Sequence, residues 1–190
     1  MKIRATWGFF IILSILMICS DPETVLAAAT AVTVHELGHL AAMRMLSVKG
    51  NTLALSACGM SISYDDRKTT YLTDIIIAIS GGAANLILFL LCRTGGDSYY
   101  IDALCVFNIF LCAFNMLPVK ALDGGRALYA LLSYLFSPDT ADRVTEFTGR
   151  ITAFGLIISG VVLFIVSGYN FTVLITAFWL LRVVNGDNIV

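Results

Sequence analysis

The chain has 190 residues, of which 58% are hydrophobic and 13% charged, and its mean hydropathy is +0.88. A soluble domain carries roughly twice that share of charge, and 12 basic against 13 acidic residues leave a net charge of −1. These figures exclude a soluble cytosolic enzyme, a nucleic-acid binder and a disordered tail, and point to a single membrane-embedded domain over residues 1–190. A spanning helix needs about 20 largely apolar residues. Six stretches qualify: about Ala5–Ser20, Glu23–Leu46, Tyr71–Cys92, Tyr99–Leu117, Ile151–Ser167 and Phe171–Val184. The first also admits a reading as a removable signal peptide, because Lys2 and Arg4 precede the apolar run Trp7–Cys19. Between the second and third spans, Leu53, Leu55 and Ala57 alternate with small polar residues. Met60, Ile62 and Tyr64 then do so in the opposite register, with the switch at Cys58-Gly59. That pattern predicts a small re-entrant β-hairpin, whose edge is available to an extended peptide. Pro118–Arg150 is predicted to hold a short amphipathic helix, Gly125–Phe136, followed by a polar run, Ser137–Arg150. The expected fold class is all-α and polytopic: about six transmembrane helices, the hairpin, and no internal repeat.

Lysine and arginine set the direction of insertion. With the N-terminus in the cytoplasm, all of the 12 basic residues except Arg93 fall on the cytoplasmic side or at its boundary. Both termini are therefore expected in the cytoplasm. The five cysteines are odd in number and form no C-x-x-C pair, so they read as small buried hydrophobes.

The only two histidines are four residues apart with a glutamate between them, in His35-Glu36-Leu37-Gly38-His39. Positions i and i+4 share one helix face, so two imidazoles at that spacing can grip one tetrahedral zinc ion. Glu36 then stands beside the first imidazole, where a general base acting on a water molecule belongs. Three ionisable groups within an apolar helix persist when they are paired or hold a metal. A catalytic zinc takes a third protein ligand. The elongated soluble signature is excluded, because Ala42 and Met45 stand where glycine and a third histidine would be required. With no third histidine, the remaining ligand is expected to be Asp or Glu. Asp123 in Leu122-Asp123-Gly124-Gly125 is the first candidate, and Asp74 and Glu146 are its rivals. Pro118 ends or kinks the fourth span, so the chain after Leu117 must fold back for Asp123 to meet the histidines. A serine protease is disfavoured, because both histidines are committed to one helix face.

Together, His35-Glu36-Leu37-Gly38-His39, Asn115-x-x-Pro118 and Leu122-Asp123-Gly124 resemble the motifs of the site-two protease family of intramembrane zinc metalloproteases. Ser80-Gly81-Gly82-Ala83-Ala84-Asn85 resembles that family's Gly-Pro-x-x-Asn element, with Gly82 in place of the usual proline. The resemblance runs from about Thr33 to Arg126. It implies zinc as cofactor, His35, His39 and Asp123 as its ligands, and Glu36 as catalytic base. It assigns Asn85 and Asn115 to supporting the site or contacting substrate. The catalytic core would occupy about residues 23–126, with C-terminal helices over about 151–184. No segment is long enough for the PDZ or CBS domain that members commonly carry, and the layout is similar to the branch containing the sporulation pro-sigma-factor protease. The implied activity is hydrolysis of peptide bonds in membrane-spanning or membrane-tethered proteins near the cytoplasmic face of a bacterial cell membrane. The implied partners are a membrane protein substrate and the lipid bilayer, with a regulatory membrane protein or a second copy of the chain as further candidates. Two other readings are a proteolytically silent relative that binds a client, and a metal transporter. The intact Glu36 weighs against the first, and the single ligand cluster against the second.

Overall fold

A computed structural model describes residues 2–5, 20–48, 50–56, 59–64, 69–94, 98–167 and 172–184. The described residues form six helices: α1 (Pro22–Met45), α2 (Tyr71–Cys92), α3 (Tyr99–Asn115), α4 (Asp123–Leu135), α5 (Pro138–Ser167) and α6 (Thr172–Val184). Three short strands accompany them: β1 (Lys2–Ala5), β2 (Gly50–Ser56) and β3 (Gly59–Tyr64). The chain divides into two compact units, Met1–Asn115 and Met116–Val190.

In the first unit α1, α2 and α3 pack against one another. Asp21 starts α1 by accepting the Thr24 amide at 2.8 Å, and Pro22 follows at the first helical position, where its missing N–H costs nothing. The Thr24 hydroxyl and amide, then the Tyr99 hydroxyl, hold the Asp21 carboxyl below its ordinary range. One face of α1 is written at intervals of four: Ala27, Ala31, His35, His39 and Met43 are all buried. The alanines let α3 come close, and Ala27 and Ala31 share a cluster with Leu104 of α3. At the other end Ala42 and Met43 pack on Ile77 of α2. The α2 face follows the same spacing, with Ile77, Gly81 and Asn85 buried. A Cβ on Gly38 would lie 2.5 Å from the Ser80 carbonyl oxygen and 2.8 Å from Ala84 Cβ. Gly38 is thus the contact point at which α1 crosses α2, a close approach that small residues permit between helices in lipid.

The strands β2 and β3 pair antiparallel, Leu53 opposite Ile62 and Leu55 opposite Met60. The expected element had two strands, whereas β1 adds parallel to the other edge of β2, giving a sheet in the order β1-β2-β3. The link at residues 57–58 lies outside the described residues.

In the second unit α4 packs on α5 and α5 on α6. The polar run Ser137–Arg150 is not a separate segment but the opening of a 30-residue helix, α5. Ser137 accepts the Thr140 amide at 3.3 Å and Pro138 follows it, a start signal that outweighs the polarity of the residues behind it. At about 1.5 Å per residue, α5 is roughly 45 Å long, half as long again as the roughly 30 Å hydrocarbon layer.

The described residues support three of the six expected spans. Among the described residues three helices are long and apolar enough to cross a membrane: Pro22–Met45, Tyr71–Cys92 and Pro138–Ser167. Tyr99–Asn115 is apolar but shorter, about 26 Å for its 17 residues. Thr172–Val184 has 13 residues, about 20 Å. Of the first predicted span, Ala5 lies in β1, and residues 6–19 fall outside the described residues.

Candidate metal centre

The four-residue spacing on α1 puts the rings of His35 and His39 edge to face, with centroids 4.8 Å apart and Nε2 atoms 3.2 Å apart. Each ring is oriented through its other nitrogen. His39 Nδ1 lies 2.7 Å from the carbonyl oxygen of Ile77, which can only accept, so Nδ1 carries the proton. His35 Nδ1 lies 2.6 Å from Oδ1 of Asn85. The Asn85 amide nitrogen is committed elsewhere, donating to the Ala31 carbonyl at 2.9 Å and to Oδ1 of Asn108 at 2.7 Å. Its oxygen therefore accepts from His35. Both imidazoles are held as Nδ1–H tautomers, and both Nε2 lone pairs converge on one point. Two acceptors 3.2 Å apart repel unless they share a cation. That fits a zinc ion gripped by both Nε2 atoms, with the outer nitrogens hydrogen-bonded as metal-binding histidines usually are.

In the second unit the candidate carboxylate is Asp123. After α3 the chain turns through two tight backbone bonds, Val119 N–H to Leu117 and Leu122 N–H to Val119, each 2.8 Å. Thr148 of α5 ties the turn by donating to the Pro118 carbonyl at 3.3 Å. A Cβ at residue 124 would stand 2.2 Å from the Met116 carbonyl oxygen, so only glycine fits there. Leu122 caps α4 without a side-chain hydrogen bond. Asp123 occupies the first turn and is buried, 9% exposed, where the positive end of the helix favours its charge. His35, His39 and Asp123 are each buried, and each is of a residue type able to hold a metal ion. Two imidazoles and a carboxylate are a donor set that zinc takes in catalytic sites. The rival carboxylates have other partners: Asp74 accepts from the Thr69 hydroxyl at 2.7 Å, and Glu146 pairs with Arg150 one turn along α5. Glu36, between the histidines, is 7% exposed.

The two asparagines singled out by resemblance differ in placement. Asn85 is fully buried against His35, whereas Asn115 donates to Leu111 of its own helix at 3.0 Å. Sequence reasoning missed Asn108, which is fully buried. The available signal was a lone amide in the middle of an apolar span, a residue type kept in lipid for hydrogen bonds across helices. It also missed why Gly81 is glycine. A Cβ there would lie 2.4 Å from His39 Nε2 and 2.8 Å from His35 Nε2. The rings cannot swing aside, because their Nδ1 atoms are bonded to Asn85 and Ile77. Gly81→Ala is therefore expected to push both rings off their common point, and a misplacement of about 1 Å lowers turnover on the order of 10²-fold. Zinc content and cleavage rate measure the effect. Gly155→Ala on α5, where a Cβ meets nothing within 4 Å, is the matched control and should leave both unchanged.

The model of peptidase family M50 matches residues 93–159, a stretch that contains Asn108, Asn115 and Asp123 but not the histidines. The chain is 28% identical over 117 residues to the "Putative zinc metalloprotease" of Synechocystis sp., covering 57% of this chain and 31% of that protein. It is 26% identical over 150 residues to a zinc metalloprotease of Methanocaldococcus jannaschii, covering 72% of this chain and 44% of that one. The chain thus spans 31% and 44% of the length of these two curated relatives. Its fold is similar to that of the solved site-2 protease from Methanocaldococcus jannaschii, with a TM-score of 0.70 at 19% identity, over 99% of this chain and 91% of the other. The resemblance read from the sequence motifs is borne out by these likenesses, and zinc is the cofactor that the relatives and the donor set both fit.

Proposed function

From the likeness to peptidase family M50 and to the site-2 protease fold, we propose that this chain is an intramembrane zinc endopeptidase. It cleaves membrane-spanning or membrane-tethered proteins near the cytoplasmic face of a cell membrane, with both its termini in the cytoplasm. The observation that carries the reading is the convergence of two Nε2 lone pairs 3.2 Å apart within an apolar helix. In this reading His35, His39 and Asp123 would hold the ion, which would supply Lewis-acid polarisation to the scissile carbonyl and the attacking water. Glu36 accepts the proton of that water and returns it to the leaving amine. Asn85 and the Ile77 carbonyl keep the two rings in the tautomer that presents Nε2.

A helical substrate hides its peptide bonds in its own hydrogen-bond ladder and must become extended before attack. In the order β1-β2-β3 the outer edge of β3 has no strand beside it among the described residues. A re-entrant position for this sheet, with substrate adding to that edge as a further strand, supplies the unwinding.

The experiment is cleavage of a single-span substrate by the purified chain in detergent, with and without a zinc chelator and with zinc restored. Zinc-dependent cleavage is expected, and proline substitutions along Thr52–Tyr64 should reduce it. Chelator-insensitive cleavage refutes the metal mechanism, and proline variants that cut normally refute the role of the sheet. Metal flux into proteoliposomes without any cleavage would identify a transporter instead.

A further inference from the structure

The geometry points to Asn108 as a positioning residue of the metal centre, acting through Asn85 on His35; this rests on the zinc reading above. An asparagine amide is nearly symmetric in shape, so packing alone does not decide which end faces His35. Three contacts decide it here. The Ala31 carbonyl can only accept, and it receives one N–H of Asn85. Oδ1 of Asn108 receives the other at 2.7 Å. Asn108 is in turn oriented by its own helix, its Nδ2 donating to the Leu104 carbonyl at 2.8 Å. The order therefore runs from the α3 backbone through Asn108 and Asn85 to Nδ1 of His35, all of it buried. Each donor and acceptor in it has one possible direction, and reversing the Asn85 amide would set its oxygen against the Ala31 and Asn108 oxygens and its NH2 against the His35 N–H.

Removing the Asn108 oxygen leaves one Asn85 N–H without its acceptor, and the Ala31 carbonyl alone then opposes a turn of that amide. An NH2 group facing His35 Nδ1 would draw the ring into the Nε2–H tautomer, which has no lone pair for a metal. His39 would be untouched, because a backbone carbonyl holds it.

The test uses the full chain in detergent, with zinc affinity read by chelator competition. Asn108→Leu is expected to weaken zinc binding by about 10–100-fold, the range for outer-shell partners of metal-binding histidines. Asn108→Asp is expected to stay close to the native chain. Buried there as the neutral acid, it keeps an oxygen facing Asn85 and a hydroxyl to donate to Leu104. In an Asn85→Ala background, Asn108→Leu should have no further effect. The chain has only two histidines, so the Nδ1–H signals of the zinc-loaded protein are separable by nitrogen-15 NMR. In Asn108→Leu the His35 signal should shift or vanish and that of His39 should stay. Unchanged affinity in a folded Asn108→Leu chain overturns the inference. A loss in Asn108→Asp as large as in Asn108→Leu also overturns it, and remains decisive if the leucine variant does not fold. A native chain that takes up no zinc sinks the metal reading itself, a different result from a native chain that binds zinc regardless of residue 108.

Discussion

Glu36→Gln is expected to abolish cleavage while the chain keeps its zinc. Glutamine preserves the shape of the side chain and much of its hydrogen bonding but cannot accept a proton. General acid–base catalysis by one positioned group is worth about 10²–10⁴-fold, and here one carboxylate is assigned both proton transfers. The position is buried, with Glu36 7% exposed, and exchanging a desolvated charge for a neutral amide does not threaten the fold. His35 and His39 keep their Nδ1 partners, so metal content should match that of the native chain. Cleavage of a single-span substrate, measured beside elemental analysis of the same preparation, separates the two effects. A glutamine variant that cuts at the native rate would remove Glu36 from the chemistry.

Asp123→Ala should strip the metal. A directly liganding carboxylate contributes more than the roughly 10–100-fold in affinity that outer-shell partners contribute, so the variant is expected to lose zinc during purification. Asp74→Ala and Glu146→Ala are the comparisons. Asp74 is occupied by the Thr69 hydroxyl, and Glu146 by Arg150 in a pair that is half exposed. Helix pairs of that kind contribute about 0.3–0.5 kcal/mol, too little to affect a metal site. Both variants should retain zinc. An Asp123→Ala chain that binds zinc as tightly as the native one would assign the third ligand elsewhere.

Asn85 and Asn108 show why orientation rather than stability is at stake in the buried amides. Hydrogen bonds between helices in lipid contribute about 0.6 kcal/mol on average and less than about 2. The average is under half of the roughly 1.4 kcal/mol that separates each tenfold in an equilibrium, yet one flipped amide removes a ligand lone pair altogether. A residue can thus matter little for folding and decisively for the metal.

Local periodicity made much of this legible in advance. The interval of four that places His35 above His39 is a property of any helix, and the apolar runs announced α1, α2 and α3 before any packing was known. Glu36 needed only adjacency. The extent of α5 was misread because polarity suggests a break, whereas Ser137 and Pro138 form a helix start whatever follows. Among the described residues fewer helices reach spanning length than the apolar runs suggested, because apolar composition sets a tolerance for lipid, while length is set by where caps and turns fall.

Everything that depends on residues far apart in the chain was beyond such reasoning. Asn85 stands 50 positions from His35 and Asn108 another 23 beyond, and nothing in their neighbours encodes which acceptor each amide will meet. Gly81 reads as a packing residue until two imidazoles are found against its missing Cβ. The chain's own order of residues determined a membrane protein with a paired-histidine helix and the donor types a zinc ion requires. Tertiary packing decided which nitrogen of each ring holds the proton, because a tautomer is chosen by the partner on the far side of the ring and that partner arrives from another helix.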